Sequence, residues 1–204
     1  MGIGFVMLFH LIIILILSFI IAIIGGLITA YFSKVRKKRK ILLAVLAPFA
    51  GFYTLYFCAI IGSSIVSEKK NIDIGFGDCW YIPLENDCQL LFIDLPEQSS
   101  IEKNGQTVVS FISKIQENGD YILGREDKSK YFSFNTKNSV LKEFNNEREL
   151  LHFSSMKELK LVDTFDFYSA KYKEIAGNWF IVVGVISLIV SISVIYLLKL
   201  ILAV

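Results

Sequence analysis

Acidic side chains are missing from both ends of this 204-residue chain: all 19 Asp and Glu residues lie between Glu68 and Glu174. Histidine occurs only twice, as His10 and His152, and cysteine only three times. The two histidines sit in unlike contexts, so a hydrolytic triad has no well-placed base. There is no Cys-x-x-Cys pair and no histidine near the cysteines, which removes the common redox and zinc patterns. Gly75-Phe-Gly77 lacks the third glycine of a dinucleotide-binding loop, and no helix follows it. No Asn-x-Ser/Thr acceptor falls within 67–175, which favours a bacterial over a eukaryotic secretory setting. These gaps point away from an enzyme and imply no cofactor, metal or nucleotide.

What the chain has in abundance is apolar sequence. Ile3–Phe32, Ile41–Val66 and Ala176–Val204 are almost free of charge. A helix needs about 20 apolar residues to cross a hydrocarbon core about 30 Å thick, and each run exceeds that. The runs contain no Asp, Glu or Arg, which argues against a coupled transporter or a charged pore. The first run has no basic residue before it and is too long for a cleavable signal. It therefore reads as a retained span over about 4–32, followed by a second over about 41–66 and a third over 176–204.

Between the first two spans lies Lys34-Val-Arg-Lys-Lys-Arg-Lys40. Its six cations, Lys34, Arg36, Lys37, Lys38, Arg39 and Lys40, fill the short loop 33–40. Short basic loops stay on the cytoplasmic side. This orients the whole chain: N-terminus outside, residues 67–175 outside, C-terminus in the cytoplasm of a bacterial inner membrane. The cluster also suits anionic lipid headgroups. It is too short and too close to the bilayer for a nucleic-acid reading.

Small residues mark the span faces. Ser18, Ala22, Gly26 and Ala30 recur every four residues, a spacing that lets another backbone approach. Ala44, Ala47 and Gly51 of the second span are expected opposite that stripe in an antiparallel hairpin. Gly184, Ser187 and Ser191 give the third span a small face. Three such faces suit a compact helix cluster and allow self-association. His10 reads as an interfacial or helix-packed residue.

Residues 67–175 hold 14 basic and 19 acidic residues and are the size of one small domain. Asn104-Gly105 and Asn118-Gly119 signal hairpins, because both central residues of a type I′ turn need positive φ. Strands are expected at Cys88–Asp94, Val108–Gln116, Asp120–Gly124, Lys130–Asn135 and Val140–Phe144. Val109, Phe111 and Ile115 are expected to share one buried face. The outline is an antiparallel β-meander of about four strands. Asn146 with Glu149 predicts a capped helix. A second helix is expected from Asp163, with Phe165, Tyr168 and Tyr172 on one face. Gly177 alone looks too weak to break it, so it is expected to run into the third span as a stalk.

Cys79 and Cys88 lie in the segment assigned outside, where a disulfide is permitted, and one is expected. Asp73, Asp78, Asp87, Asp94 and Glu97 belong to a stretch with no basic residue before Lys103. It reads as a solvated acidic surface, as a docking face for a basic protein partner, or as a calcium site, although it lacks the Asp-x-Asp/Asn-x-Asp/Asn-Gly loop.

The expected fold is therefore an integral membrane protein. Three transmembrane α-helices carry an inserted extracytoplasmic α+β domain built on an antiparallel β-meander. The function that follows is non-enzymatic binding of a protein partner outside the cytoplasm. The chain would serve as an accessory subunit of a membrane complex or as a membrane immunity protein against a toxin. The alternative is an external sensor signalling through the third span to a separate partner.

Overall fold

The computed structural model describes residues 3–75, 77–127 and 130–202. Phe76 of the Gly75–Gly77 run, and Ala203 and Val204 of the third apolar run, lie outside that description. In chain order the elements are α1 (Ile3–Phe32), α2 (Lys37–Lys70), β1 (Cys79–Pro83), β2 (Cys88–Ile93), β3 (Leu95–Lys103), β4 (Gln106–Ser110) and β5 (Ile112–Asn118). There follow β6 (Tyr121–Glu126), β7 (Tyr131–Asn135), β8 (Val140–Phe144), α3 (Glu147–Ser154), β9 (Val162–Asp163), α4 (Thr164–Ala176) and α5 (Trp179–Ile201). They fall into two compact units, 1–66 with 178–204, and 67–177.

In the first unit, α1, α2 and α5 are long and apolar enough to cross a membrane. Only residues 33–36 of the basic segment are non-helical, and Lys37–Lys40 form the first turn of α2. Four cations at the positive end of a helix dipole are locally unfavourable. The helices meet through small residues. Ser18 and Ala22 are buried, and a Cβ on Gly26 would stand 3.3 Å from the Val45 side chain. Ala30 and Ala47 are half-buried.

Gly51 departs from expectation. It faces α5 rather than α1: a Cβ there would come within 2.9 Å of Ile195, and the Ser191 hydroxyl donates to the Gly51 carbonyl at 2.8 Å. Gly62 repeats the pattern 2.7 Å from Val183. A glycine permits close approach without choosing the neighbour, and α2 has two neighbours. Toward the other end of α1, the Tyr53 hydroxyl donates to the Leu11 carbonyl at 3.3 Å, and Tyr56 lies 3.4 Å from His10 Nδ1.

The second unit is built on two antiparallel sheets rather than one meander of about four strands. The first has the order β1-β2-β3-β4 and the second β8-β7-β6-β5-β9. The strand undercount has a physical source. β3 reads Leu-Pro-Glu-Gln-Ser-Ser-Ile-Glu-Lys, a polar sequence whose pairing on both sides with β2 and β4 makes it a strand. Asn104 and Gly105 both have positive φ and join Lys103 to Gln106, as a type I′ turn requires. At the next hairpin Asn118 pairs with Tyr121, so the turn residues are Gly119 and Asp120, and only Gly119 has positive φ. That is the type II′ solution, shifted by one residue from the Asn-Gly reading.

Two helices cover the sheets. α3 opens on Asn146, whose side chain accepts from the Glu149 amide at 3.0 Å, while Glu149 accepts from the Asn146 side chain at 2.8 Å. It buries Leu150 and lies against β7 and β8. α4, capped by Asp163, spans β1 and β3 of one sheet and β5 and β9 of the other. Phe165 and Tyr168 meet Phe92 edge-on at 6.3 and 5.4 Å, and Trp80 stacks on Phe92 at 5.6 Å.

The continuous stalk does not form. α4 stops at Ala176, and Gly177 adopts φ 51°, ψ −132°, a conformation few residues other than glycine tolerate. Its amide still bonds the Lys173 carbonyl at 2.9 Å, closing the helix end. The helix-propensity cost of one glycine, about 1 kcal/mol, is too small by itself to end α4. What ends the helix is the favourable cap that glycine makes.

Candidate docking surface around Phe111

The acidic residues singled out in the sequence do not form one site. Asp78 and Asp94 share one end of the β1–β2 hairpin, where the Asp94 amide donates to the Asp78 carbonyl at 2.7 Å. Asp87 is in the turn at the opposite end, seven residues along β2 and so about 23 Å away. Asp73 is half-buried before β1 and accepts from the Gly75 amide at 2.5 Å; burial pushes its carboxyl up. Glu97 is exposed in the irregular part of β3. Among the described residues no three His, Cys, Asp or Glu side chains gather as metal ligands would.

The expected disulfide is also overturned. Cys79 and Cys88 are free thiols, one exposed and one buried. In the β1–β2 register Cys79 lies opposite Ile93, five residues along the strand from Cys88. That is about 17 Å, far beyond the Cα separation of about 7 Å a disulfide can bridge. The nine-residue spacing suggested a loop; the loop is a hairpin that holds its ends apart. Burial pushes the Cys88 thiol up, away from reactivity.

The site that does assemble centres on Phe111. Val108–Gln116 was expected to be one strand with Val109, Phe111 and Ile115 inward. Instead the chain leaves the first sheet at Ser110 and enters the second at Ile112. Phe111 has φ 56° and is 56% exposed. A left-handed conformation at a bulky residue costs about 1–3 kcal/mol. The surroundings hold it there. The Asp127 amide donates to the Phe111 carbonyl at 2.8 Å, and Ser99 and Thr164 hydroxyls both donate to the Ile112 carbonyl, at 2.5 and 2.7 Å. The apolar residues Val109, Ile112 and Ile115 are all buried, yet one period-two strand would put Ile112 on the face opposite the other two, so the strand must break between them.

Three concavities converge on this ring. One, of about 230 Å³, is lined by Pro96, Glu97, Asp127, Asp163 and Phe165. A second, about 530 Å³, runs from Val108 and Ser110 to Glu126, Asp127, Leu141 and Glu143. The third, about 160 Å³, lies beside Ile93, Gln98 and Thr107. Glu97 thus reaches the surface; Asp73, Asp78, Asp87 and Asp94 do not line it. Among the described residues five carboxylates border the three grooves, and no lysine or arginine lines them. Glu143 is partnered by Lys130 at 2.9 Å, and Asp163 accepts from the Phe165 amide at 2.9 Å. The result is an exposed aromatic, flanked by apolar Ile93 and Phe165, inside a rim of carboxylates.

No known protein family, curated protein or solved structure matches this chain.

Proposed function

We propose that this chain is a non-enzymatic bacterial inner-membrane protein whose sheet domain, outside the cytoplasm, docks a protein partner through the Phe111 surface. The observation that carries this reading is Phe111 itself. A large aromatic held solvent-exposed at a conformational cost matches the anchor residues that dominate interfaces. The orientation rests on Lys34–Lys40, whose charge favours the cytoplasmic side. An accessory subunit and an immunity protein both need such a surface, and the partner's identity separates them. The sensor alternative is weakened, because α4 and α5 are separate helices with glycine between them.

A photo-crosslinking residue at position 111 tests the reading in native membranes, with one at Val140, also exposed, as control. A discrete protein adduct is expected from position 111 alone, and Asp127→Lys should abolish it. Equal adducts from both positions, or indifference to Asp127→Lys, would overturn the assignment. Orientation is tested by single cysteines in a cysteine-free background. Ser33→Cys should label only after the inner membrane is opened, and Lys157→Cys in intact spheroplasts; the reverse pattern overturns it.

A further inference from the structure

We infer that the partner is engaged by strand addition: an extended basic segment pairs with the free edge of β4. This rests on the docking reading above and names the partner's chemistry and geometry.

The four sheet edges differ in how they are protected. β1 ends in Pro83 and has α4 against it; β8 carries Lys142 and Glu143 and has α3 against it; β9 is two residues long. β4 reads Gln-Thr-Val-Val-Ser, with no charge, proline or glycine. Exposed edges are normally blunted by such residues or by a covering element. β4 pairs only with β3 among the described residues, so its outer donors and acceptors are left for another strand. Phe111 follows directly at its end.

The groove beside this edge sets the side-chain chemistry. It runs from Val108 and Ser110 to Leu141, with Glu126, Asp127 and Glu143 along it. Val108 and Leu141 offer apolar contact; Asp127 stands in no described ion pair, while Lys130 bridges Glu143 and its charge also acts on Glu126. Lysine or arginine side chains on an added strand would reach these carboxylates, and a guanidinium could also stack on the Phe111 ring. Strand addition takes affinity from the main chain and selectivity from alternating side chains. An edge with an apolar floor and a carboxylate rim therefore selects a segment in which basic and apolar residues alternate.

The probe is the peptide acetyl-Lys-Val-Arg-Val-Lys-Val-amide, added to the full-length protein in nanodiscs and followed by calorimetry. Two N-methylated isomers block the amides of one edge of the peptide or the other. Saturable binding is expected, lost at least tenfold in one isomer and kept in its counterpart. Glu126→Gln with Asp127→Asn should weaken binding by a further factor of about ten and flatten its salt dependence. Amide exchange at residues 106–110 should slow in the complex, which also verifies that the variants are folded. Failure of the peptide to bind, equal binding of both isomers, or unchanged affinity in the charge variant would overturn strand addition. If position 111 still crosslinks specifically in membranes, the docking reading survives that failure; if it does not, both fall together.

Discussion

The two units of this chain are packed by opposite rules. In the sheet domain the buried positions are large: Phe92, Phe132, Phe134, Ile82, Leu90 and Ile115 are among the fully enclosed side chains. In the helical unit the buried positions, Val66 apart, are small or hydroxylated, among them Ser18, Ala22, Ser187 and Ser191, while Ile16, Leu17, Ile24 and Leu188 face outward. Water drives large apolar groups inward in the domain. Lipid is as apolar as leucine, so between helices long and apolar enough to cross a membrane nothing is gained by hiding bulk, and close backbone approach decides association. The same residue type therefore means different things in the two units. Gly62 is small so that another helix can touch it, whereas Gly124 is small because a ring from the neighbouring strand lies on it.

Four substitutions sharpen or break this contrast. The largest effect is expected from Gly124→Val. A Cβ there would meet the Phe132 ring at 2.4 Å and the Lys114 carbonyl at 2.8 Å. Overpacking of this kind costs about 1–3 kcal/mol and occasionally more, and with a backbone carbonyl in the way the upper end is expected, so the domain should melt well below wild type. A Tm within two or three degrees of wild type would show that Phe132 swings aside freely. Next is Gly62→Leu, which drives a side chain into Val183. It should lower the detergent melting temperature of the helical unit while leaving near-ultraviolet signals of the sheet domain in place. If both units melt together, they are not packed independently.

A smaller effect, of opposite sign, is expected from Phe111→Gly. Removing the left-handed strain should raise domain stability by about 1 kcal/mol and abolish partner docking, a trade visible in denaturant titration beside the crosslinking assay. A loss of stability would mean that the ring is a packing residue. The smallest effect is at alkaline pH. Burial first, then neighbouring Tyr172 and Asp73, hold the Tyr168 hydroxyl well above the usual tyrosine value of 10.0. A raised folded-state value means the native state keeps protons that the unfolded state gives up. Stability should therefore be intact below pH 10 and decline as pH rises above it. Tyr168→Phe should flatten that decline; an identical profile would place the burden elsewhere.

Some of the architecture was legible from residue patterns. Runs of about 30 apolar residues need no partner to be read as spans, because the bilayer imposes length. The Asn146–Glu149 box announces α3, and Asp163 announces α4, because both caps are local chemistry. Apart from the helix end at Gly177, which is local, the differences share a cause: each depends on what lies across from the residue. β3 is polar and becomes a strand through its neighbours. Cys79 and Cys88 are close in sequence yet held apart by the hairpin register. Gly51 was assigned to the wrong helix because two helices could use it. Phe111 fits a strand pattern until one asks which face Ile112 needs. Of Asp73, Asp78, Asp87, Asp94 and Glu97, only Glu97 borders the surface that assembles, because its other carboxylates come from strand ends far apart in the chain.

The strand orders carry a consequence for synthesis. In both sheets nearly every strand pairs with the one made just before it: β1 through β4, then β5 through β8. Such local wiring favours fast folding. Each hairpin has its partner available within a few residues, so both sheets can close while the third apolar run is still being translated. One pairing breaks the pattern. β9 joins β5 through Lys114–Asp163 and Ile115–Val162, and Thr164 then locks the Ile112 carbonyl. The domain is thus sealed by its last-made strand, some fifteen residues before α5 begins. A nascent chain halted before Val162 should carry two formed sheets with an open seam, sensitive to protease at Phe111. One halted after Ala176 should resist it.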